Sequence, residues 1–134
     1  MESVNFKYQK EKSDLGVIYR PVANVLLEIE DFKLEIPMYI DSGADVTIIP
    51  LKLGEALGFR QDSAQIREIR GIAGAGVPYM LKAVKLTIGN IKFPARIAWS
   101  LIEAVPPLLG RLDVFERFKI IFDEEKKTIE FHPK

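Results

Sequence analysis

The stretch Leu34-Glu35-Ile36-Pro37-Met38-Tyr39-Ile40-Asp41-Ser42-Gly43-Ala44-Asp45-Val46-Thr47-Ile48-Ile49-Pro50 carries the most informative pattern in this chain. Leu34, Ile36, Met38 and Ile40 recur at a period of two, as in a half-buried strand, with Lys33, Glu35 and Tyr39 on the other face. Pro37 has no N–H to give to a ladder, which places part of that strand at an edge. The strand runs straight into Asp41-Ser42-Gly43-Ala44-Asp45, and a second apolar run, Val46 to Ile49, follows at once. A carboxylate thus stands at the end of a buried strand, beside a hydroxyl and a glycine that lets another backbone approach closely. Apolar surroundings would raise the cost of ionising Asp41, which is one way a general acid or base is tuned. The plain alternative is an Asx turn, in which Asp41 accepts from its own downstream amides.

Upstream, Val25, Leu27 and Ile29 alternate with Asn24, Glu28 and Glu30, so two adjacent strands meet at a tight connection around Asp31-Phe32. Downstream, Leu51 to Leu57 reads as a short helix with Gly58 as its stop. Val84, Leu86 and Ile88, the turn Gly89-Asn90, and then Ile91, Phe93, Ala95, Ile97 and Trp99 spell a hairpin. Asp113 followed by Glu116 resembles a capping box, with Val114, Phe115 and Phe118 as a short apolar helical face. Lys119 to Phe122 and Thr128 to His132 flank a charged turn as a last hairpin. Residues 1–20 are the most polar stretch; Val4, Phe6 and Tyr8 alternate there, which fits an edge strand or a mobile arm, and residues 21–134 read as one domain. The sum is mostly β, with many short strands and two short helices, arranged as a closed or a sandwich-like sheet.

Composition removes several kinds of chemistry. The chain has 134 residues, 48% of them hydrophobic, with Lys+Arg 19 balancing Asp+Glu 19. That length builds one domain with a real core. Without cysteine there is no disulfide framework, thiolate metal site or thiol nucleophile. The one histidine, His132, excludes His-pair zinc motifs. Balanced charge argues against nucleic acid as a main partner, because affinity there comes largely from neutralising phosphates. Apolar runs are only a few residues long, far short of a membrane span. The opening residues lack an apolar signal region, so no membrane partner and a cytoplasmic location are expected. No cofactor and no metal are expected. Any chemistry falls to carboxylates, hydroxyls, amines or backbone.

Three motifs appear in order: Ile40-Asp41-Ser42-Gly43-Ala44-Asp45, then Gly71-Ile72-Ala73-Gly74-Ala75-Gly76, then Leu108-Leu109-Gly110-Arg111. This resembles the retroviral-type aspartic proteases (retropepsins) and their single-domain cellular relatives, over roughly residues 22–122. The first and third motifs are the specific ones. The resemblance implies a mostly all-β fold, a closed acid-protease-like β-barrel with one or two short helices, working as a homodimer on a peptide or protein substrate. It implies an aspartic endopeptidase in which Asp41 from each of two subunits activates water, since two carboxylates share one proton and this chain has only one Asp-Ser-Gly. A non-catalytic β-rich dimer that binds peptide or a protein partner in the same cleft is the alternative.

By the same resemblance, Ser42 bonds across the two-fold axis and Gly43 permits a close pass. Gly43, Ala44 and Asp45 line the substrate, and Gly71, Ile72, Ala73 and Gly74 form a flap over it. Asp45 and Arg111 form a structural ion pair, and Leu108-Leu109-Gly110 packs behind the catalytic loop. The Lys119–His132 hairpin continues past the point where the viral enzymes stop. Ile129, Phe131, Phe6 and Tyr8 are therefore candidates for a dimer sheet other than interleaved chain ends.

Overall fold

The computed structural model describes residues 2–70 and 76–134. Twelve strands follow one another among them: Val4–Lys7 (β1), Gln9–Ser13 (β2), Gly16–Arg20 (β3), Val22–Ile29 (β4), Phe32–Ile40 (β5), Thr47–Ile49 (β6), Arg67–Arg70 (β7), Gly76–Ile88 (β8), Ile91–Ser100 (β9), Leu108–Leu109 (β10), Phe118–Asp123 (β11) and Thr128–Pro133 (β12). One helix, Leu51–Ala56 (α1), and two 3₁₀ turns at Ser63–Gln65 and Phe115–Arg117 complete the described elements.

The main sheet runs β4-β5-β10-β6-β9-β8-β7, and β4 pairs again with β8. That second pairing, Val25↔Ile88 through Glu28↔Lys85, closes six strands into a barrel. The alternation read from the sequence is the alternation of burial. Val25, Leu27, Ile36, Met38, Leu86, Ile88 and Ile97 are all buried inside. Closure removes the exposed edges an open sheet of these apolar strands would leave. Pro37 sits opposite Asn24 of β4, at a point where β5 has no second neighbour, since β10 joins it only at Tyr39 and Ile40.

Under the barrel, β1, β12 and β11 form a second, three-stranded sheet. Phe131 and Ile129 are fully buried and Tyr8 nearly so; Phe6 packs edge-on against Phe131 at 5.8 Å, and Phe118 does the same at 5.4 Å. Tyr8, Ile129 and Phe131 are core residues of this chain, and Phe6 packs partly buried against them. The cause is the register: β1 pairs with β12 from Val4↔Phe131 to Lys7↔Thr128, which turns these side chains onto their own barrel.

The α1 helix lies against β9 through a buried contact with no spare volume. Gly54 faces Trp99 so closely that any Cβ there would overlap the indole, whose Nε1–H donates to the Leu51 carbonyl at 2.9 Å. Gly58, at φ +82, ends the helix as a left-handed stop. The expected second helix after Asp113 is only the 3₁₀ turn Phe115–Arg117. Asp113 adopts φ 63, and its carboxylate is taken by Arg96 of β9, so it does not cap a helix.

Candidate active site

The loop after β5 is fixed mainly by main-chain bonds. The Asp41 N–H donates to the Leu109 carbonyl at 3.0 Å, continuing the short parallel pairing of β5 with β10. Two residues later β10 returns the support: Arg111 N–H donates to the Ala44 carbonyl and Leu112 N–H to the Asp45 carbonyl, both at 2.9 Å. Gly110, between them, lies so close to the Val46 carbonyl that a Cβ has no space. Its N–H donates to Thr47 Oγ1 at 3.0 Å. Leu108-Leu109-Gly110 thus runs directly behind the loop.

Thr47 was not singled out by the sequence reading. A hydroxyl in the apolar run Val46–Ile49 is its only signal. It is fully buried, and a buried hydroxyl requires a partner, here the Gly110 amide.

Asp41 is half-buried, and Ser42, Gly43 and Asp45 are exposed. The apolar enclosure expected around Asp41 is therefore incomplete in the single chain, because the loop stands at the barrel surface. The Asx turn does form: Gly43 N–H donates to Asp41 Oδ1 at 2.9 Å, and Ala44 N–H to the Asp41 carbonyl at 3.2 Å. That turn orients the carboxylate and engages one oxygen only. Among the described residues no hydrogen bond reaches Oδ2 or the Ser42 hydroxyl.

Two grooves meet at the loop. Gly43, Ala44 and Asp45 line one of roughly 720 Å³, together with Ile48, Leu108 and Leu112 and, from β7 and β8, Arg67, Ile69, Tyr79 and Leu81. Asp41 itself opens on the other, of roughly 540 Å³, between Pro106 and Leu108 on one side and Glu11, Arg20 and Tyr39 on the other. The mixed lining, aliphatic with a few polar groups, suits an extended peptide. β7 and β8 pair antiparallel up to Arg70↔Gly76, so a hairpin stem rises beside the first groove. Gly71, Ile72, Ala73 and Gly74, the remaining substrate-binding residues of the sequence reading, lie outside the described residues.

The Asp45–Arg111 ion pair is not formed in this chain. Among the described residues no salt bridge joins them; they are linked instead through the neighbouring main-chain bonds to Ala44 and Asp45. The ion pair of this region is Arg96–Asp113. Arg96 Nε and Nη2 donate to the two Asp113 oxygens at 2.9 and 3.0 Å, and the Arg96 amide adds a third bond at 2.9 Å. Such a two-pronged geometry is the strong form of a guanidinium–carboxylate pair. The Arg96 side-chain bond, against a smaller opposing effect of burial, holds the Asp113 carboxyl below its ordinary range.

A lowered carboxylate contributes stability above its unfolded pKa and loses it as pH falls through the lowered folded value. Asp113→Asn is therefore expected to melt several degrees below the parent at pH 7. The gap should close as pH falls below the ordinary carboxylate range of about 4. Thermal melts from pH 7 to pH 2 check this; a gap that stays constant with pH contradicts the assignment.

Among the described residues no group of three or more His, Cys, Asp or Glu is placed to hold a metal. No helix among them is long and apolar enough to cross a membrane.

Comparison with solved structures returns the same barrel. The chain superposes on the EIAV protease complexed with the inhibitor HBY-793 with a TM-score of 0.58 at 23% identity, covering 72% of this chain and 86% of that one. A retropepsin-like aspartic protease from Rickettsia conorii gives a TM-score of 0.67 at 18% identity, over 97% of this chain and 98% of that one. The retroviral protease-like domain of Ddi1 from Leishmania major gives 0.53 at 13% identity, over 85% and 94%. At these identities the likeness establishes a retropepsin-like fold. A search of curated protein sequences found no match. The family model described as "Aspartyl protease" matches residues 25–111, which hold the closed barrel strands, the Asp41 loop and the strand behind it. That span is most of the chain, and the chain belongs to the aspartyl protease family.

Proposed function

We propose that this chain is an aspartic endopeptidase active as a homodimer, with Asp41 of each subunit forming the catalytic pair. The observation that carries the reading is the Asp41 loop. One Asp-Ser-Gly per chain ends a barrel strand, with Asp41 oriented through Oδ1, Oδ2 unbonded among the described residues, and grooves on either side. A two-fold axis beside that loop supplies the second carboxylate and sets the grooves of two subunits end to end.

Two carboxylates at that range cannot both ionise, so they hold one proton between them. The ionised Asp41 takes a proton from a bound water as the water oxygen attacks the scissile carbonyl carbon. The protonated Asp41 gives its proton to the carbonyl oxygen, forming a tetrahedral diol. Collapse of the diol breaks the C–N bond: the amide nitrogen leaves with a proton from one carboxyl, and a diol hydroxyl returns its proton to the other, which restores the shared proton of the pair. Ser42 bonds across the axis and fixes the spacing of the pair. Gly43, Ala44 and Asp45 line the substrate backbone, and Gly71, Ile72, Ala73 and Gly74 close over it and exclude water. The apolar lining from Ile48, Leu81, Leu108 and Leu112 selects apolar side chains around the cut.

Activity per chain is expected to fall on dilution in step with the dimer fraction, and the pH–rate profile to be a bell set by the coupled pair. A peptide-library digest at a series of enzyme concentrations, with sedimentation velocity on the same samples, tests this. Cleavage that stays proportional to chain concentration while the dimer dissociates contradicts the reading. Peptide binding without cleavage at any concentration identifies a binding module instead.

A further inference from the structure

The β2–β3 ribbon, Gln9 to Arg20, pairs with no other strand among the described residues. A two-stranded ribbon is marginally stable by itself in water. Its root is tied down beside the active-site loop. The Tyr39 hydroxyl donates to Glu11 Oε2 at 2.8 Å, Arg20 Nε pairs with Glu11 Oε1 at 3.2 Å, and the Arg20 guanidinium lies 5.6 Å from the centroid of the Tyr39 ring. The Pro21 carbonyl accepts from the Ile40 amide at 3.0 Å, so the ribbon leaves the barrel next to Asp41. Each strand has five residues, which carry the tip about 17 Å from that root.

Away from the root the ribbon is unusually apolar for something so exposed. Leu15 is 92% exposed, Val17 53% and Tyr19 46%, three of the seven exposed large hydrophobic residues of the described chain within one five-residue stretch. Val17 and Tyr19 lie opposite Lys12 and Lys10 in the ladder, so the four share one face. Scattered single apolar residues are ordinary on a surface, whereas a cluster on one projecting element marks a contact.

We propose that the Gln9–Arg20 ribbon is a clasp for a second copy of this chain, laying Leu15, Val17 and Tyr19 against the body of the partner. The inference rests on the homodimeric reading of Asp41. If two Asp41 loops meet across an axis, an element rooted beside Asp41 and about 17 Å long reaches the other copy. The contact is continuous with the catalytic interface. Two-fold symmetry makes it reciprocal, so each dimer buries two such patches.

The test is Leu15→Ser, Val17→Ser and Tyr19→Ser combined in the full chain, none of which touches the grooves beside Asp41. Sedimentation velocity over a dilution series should show the dimer dissociation constant raised by roughly tenfold to a hundredfold. The cleavage rate per dimer, measured well above the new constant, should equal that of the parent. An unchanged dissociation constant overturns the clasp, and so does a changed KM with unchanged dimerisation. Should the triple variant misfold, hydrogen exchange of the parent decides. Amides of residues 9–20 should be protected above the dissociation constant and exchange freely below it; equal exchange in both overturns the proposal. A parent dimer with a protected ribbon that cuts no peptide would leave the clasp and remove the protease reading. An active dimer with an unprotected ribbon would do the reverse.

Discussion

Asp41→Asn is expected to reduce peptide cleavage by about ten-thousand-fold while leaving the melting temperature and the dimer fraction of the protein nearly unchanged. The variant separates chemistry from architecture unusually well. The Asx turn uses only Oδ1, which accepts from the Gly43 amide, and an asparagine side chain keeps that oxygen. The loop is otherwise held by main-chain bonds to Leu109, Arg111 and Leu112, none of which involves the carboxylate. What the substitution removes is the negative charge and the proton the pair must share. The loss should appear in kcat, with KM little changed, because the missing interaction belongs to the transition state. A variant that still cleaves within tenfold of the parent rate would remove Asp41 from the chemistry. A variant that unfolds would instead give the carboxylate a structural duty that the main-chain bonding does not suggest.

Gly110→Ala is expected to be the most damaging small substitution to the fold around the site, costing about 3 kcal/mol. The added methyl meets the carbonyl of Val46 and the amide of Thr47, so the obstacle is backbone. Either β6 moves away from β10, or the turn at Gly110 opens and its N–H leaves Thr47 Oγ1. Separating β6 from β10 loosens the sheet between β5 and β9. Opening the turn strands a buried donor, itself worth about 1–3 kcal/mol. Because Arg111 and Leu112 carry the bonds to Ala44 and Asp45, either response shifts the loop that presents Asp41. Urea denaturation should therefore show a lower midpoint with an unchanged slope, together with a fall in kcat. Thr47→Val tests the same joint from the other side, removing the acceptor and adding no bulk. A Gly110→Ala protein of parental stability would mean that the strand behind the loop is far more compliant than its packing implies.

The barrel and its loop were readable because their signals are local. Alternation at Val25–Ile29, Leu34–Ile40 and Val84–Trp99 reports which face of each strand is buried, and the Gly89-Asn90 turn pins a hairpin. The Asp41 loop announced itself as an interruption of that alternation. Features set by tertiary partners were less accessible. Asp113 looked like a helix cap because Glu116 follows at the right spacing, but its φ of 63 and the competing guanidinium of Arg96 redirect its carboxylate. Arg96 comes from a strand 17 residues away in sequence, which no local pattern encodes. The ribbon at Gln9–Arg20 was hidden for the opposite reason. β2 is polar and β3 leaves Val17 and Tyr19 exposed, so neither strand shows a buried alternating face, and only Gly16, at φ +95, marks the turn. Tyr8 shows how burial can gather distant charges. Its hydroxyl meets Glu124 at 2.9 Å, and burial first, then that carboxylate, pushes the phenol up to about 12.

On the proposed homodimeric reading, this chain is one half of an active site that a second copy completes. The most direct measurement is a crystal structure of the protein with a statine-type peptide, whose single hydroxyl mimics the tetrahedral diol. The expected result is a two-fold dimer in which both Asp41 carboxylates lie within hydrogen-bond distance of that one hydroxyl and of each other. A monomer holding the peptide, or a dimer whose two Asp41 side chains lie far apart, would contradict it.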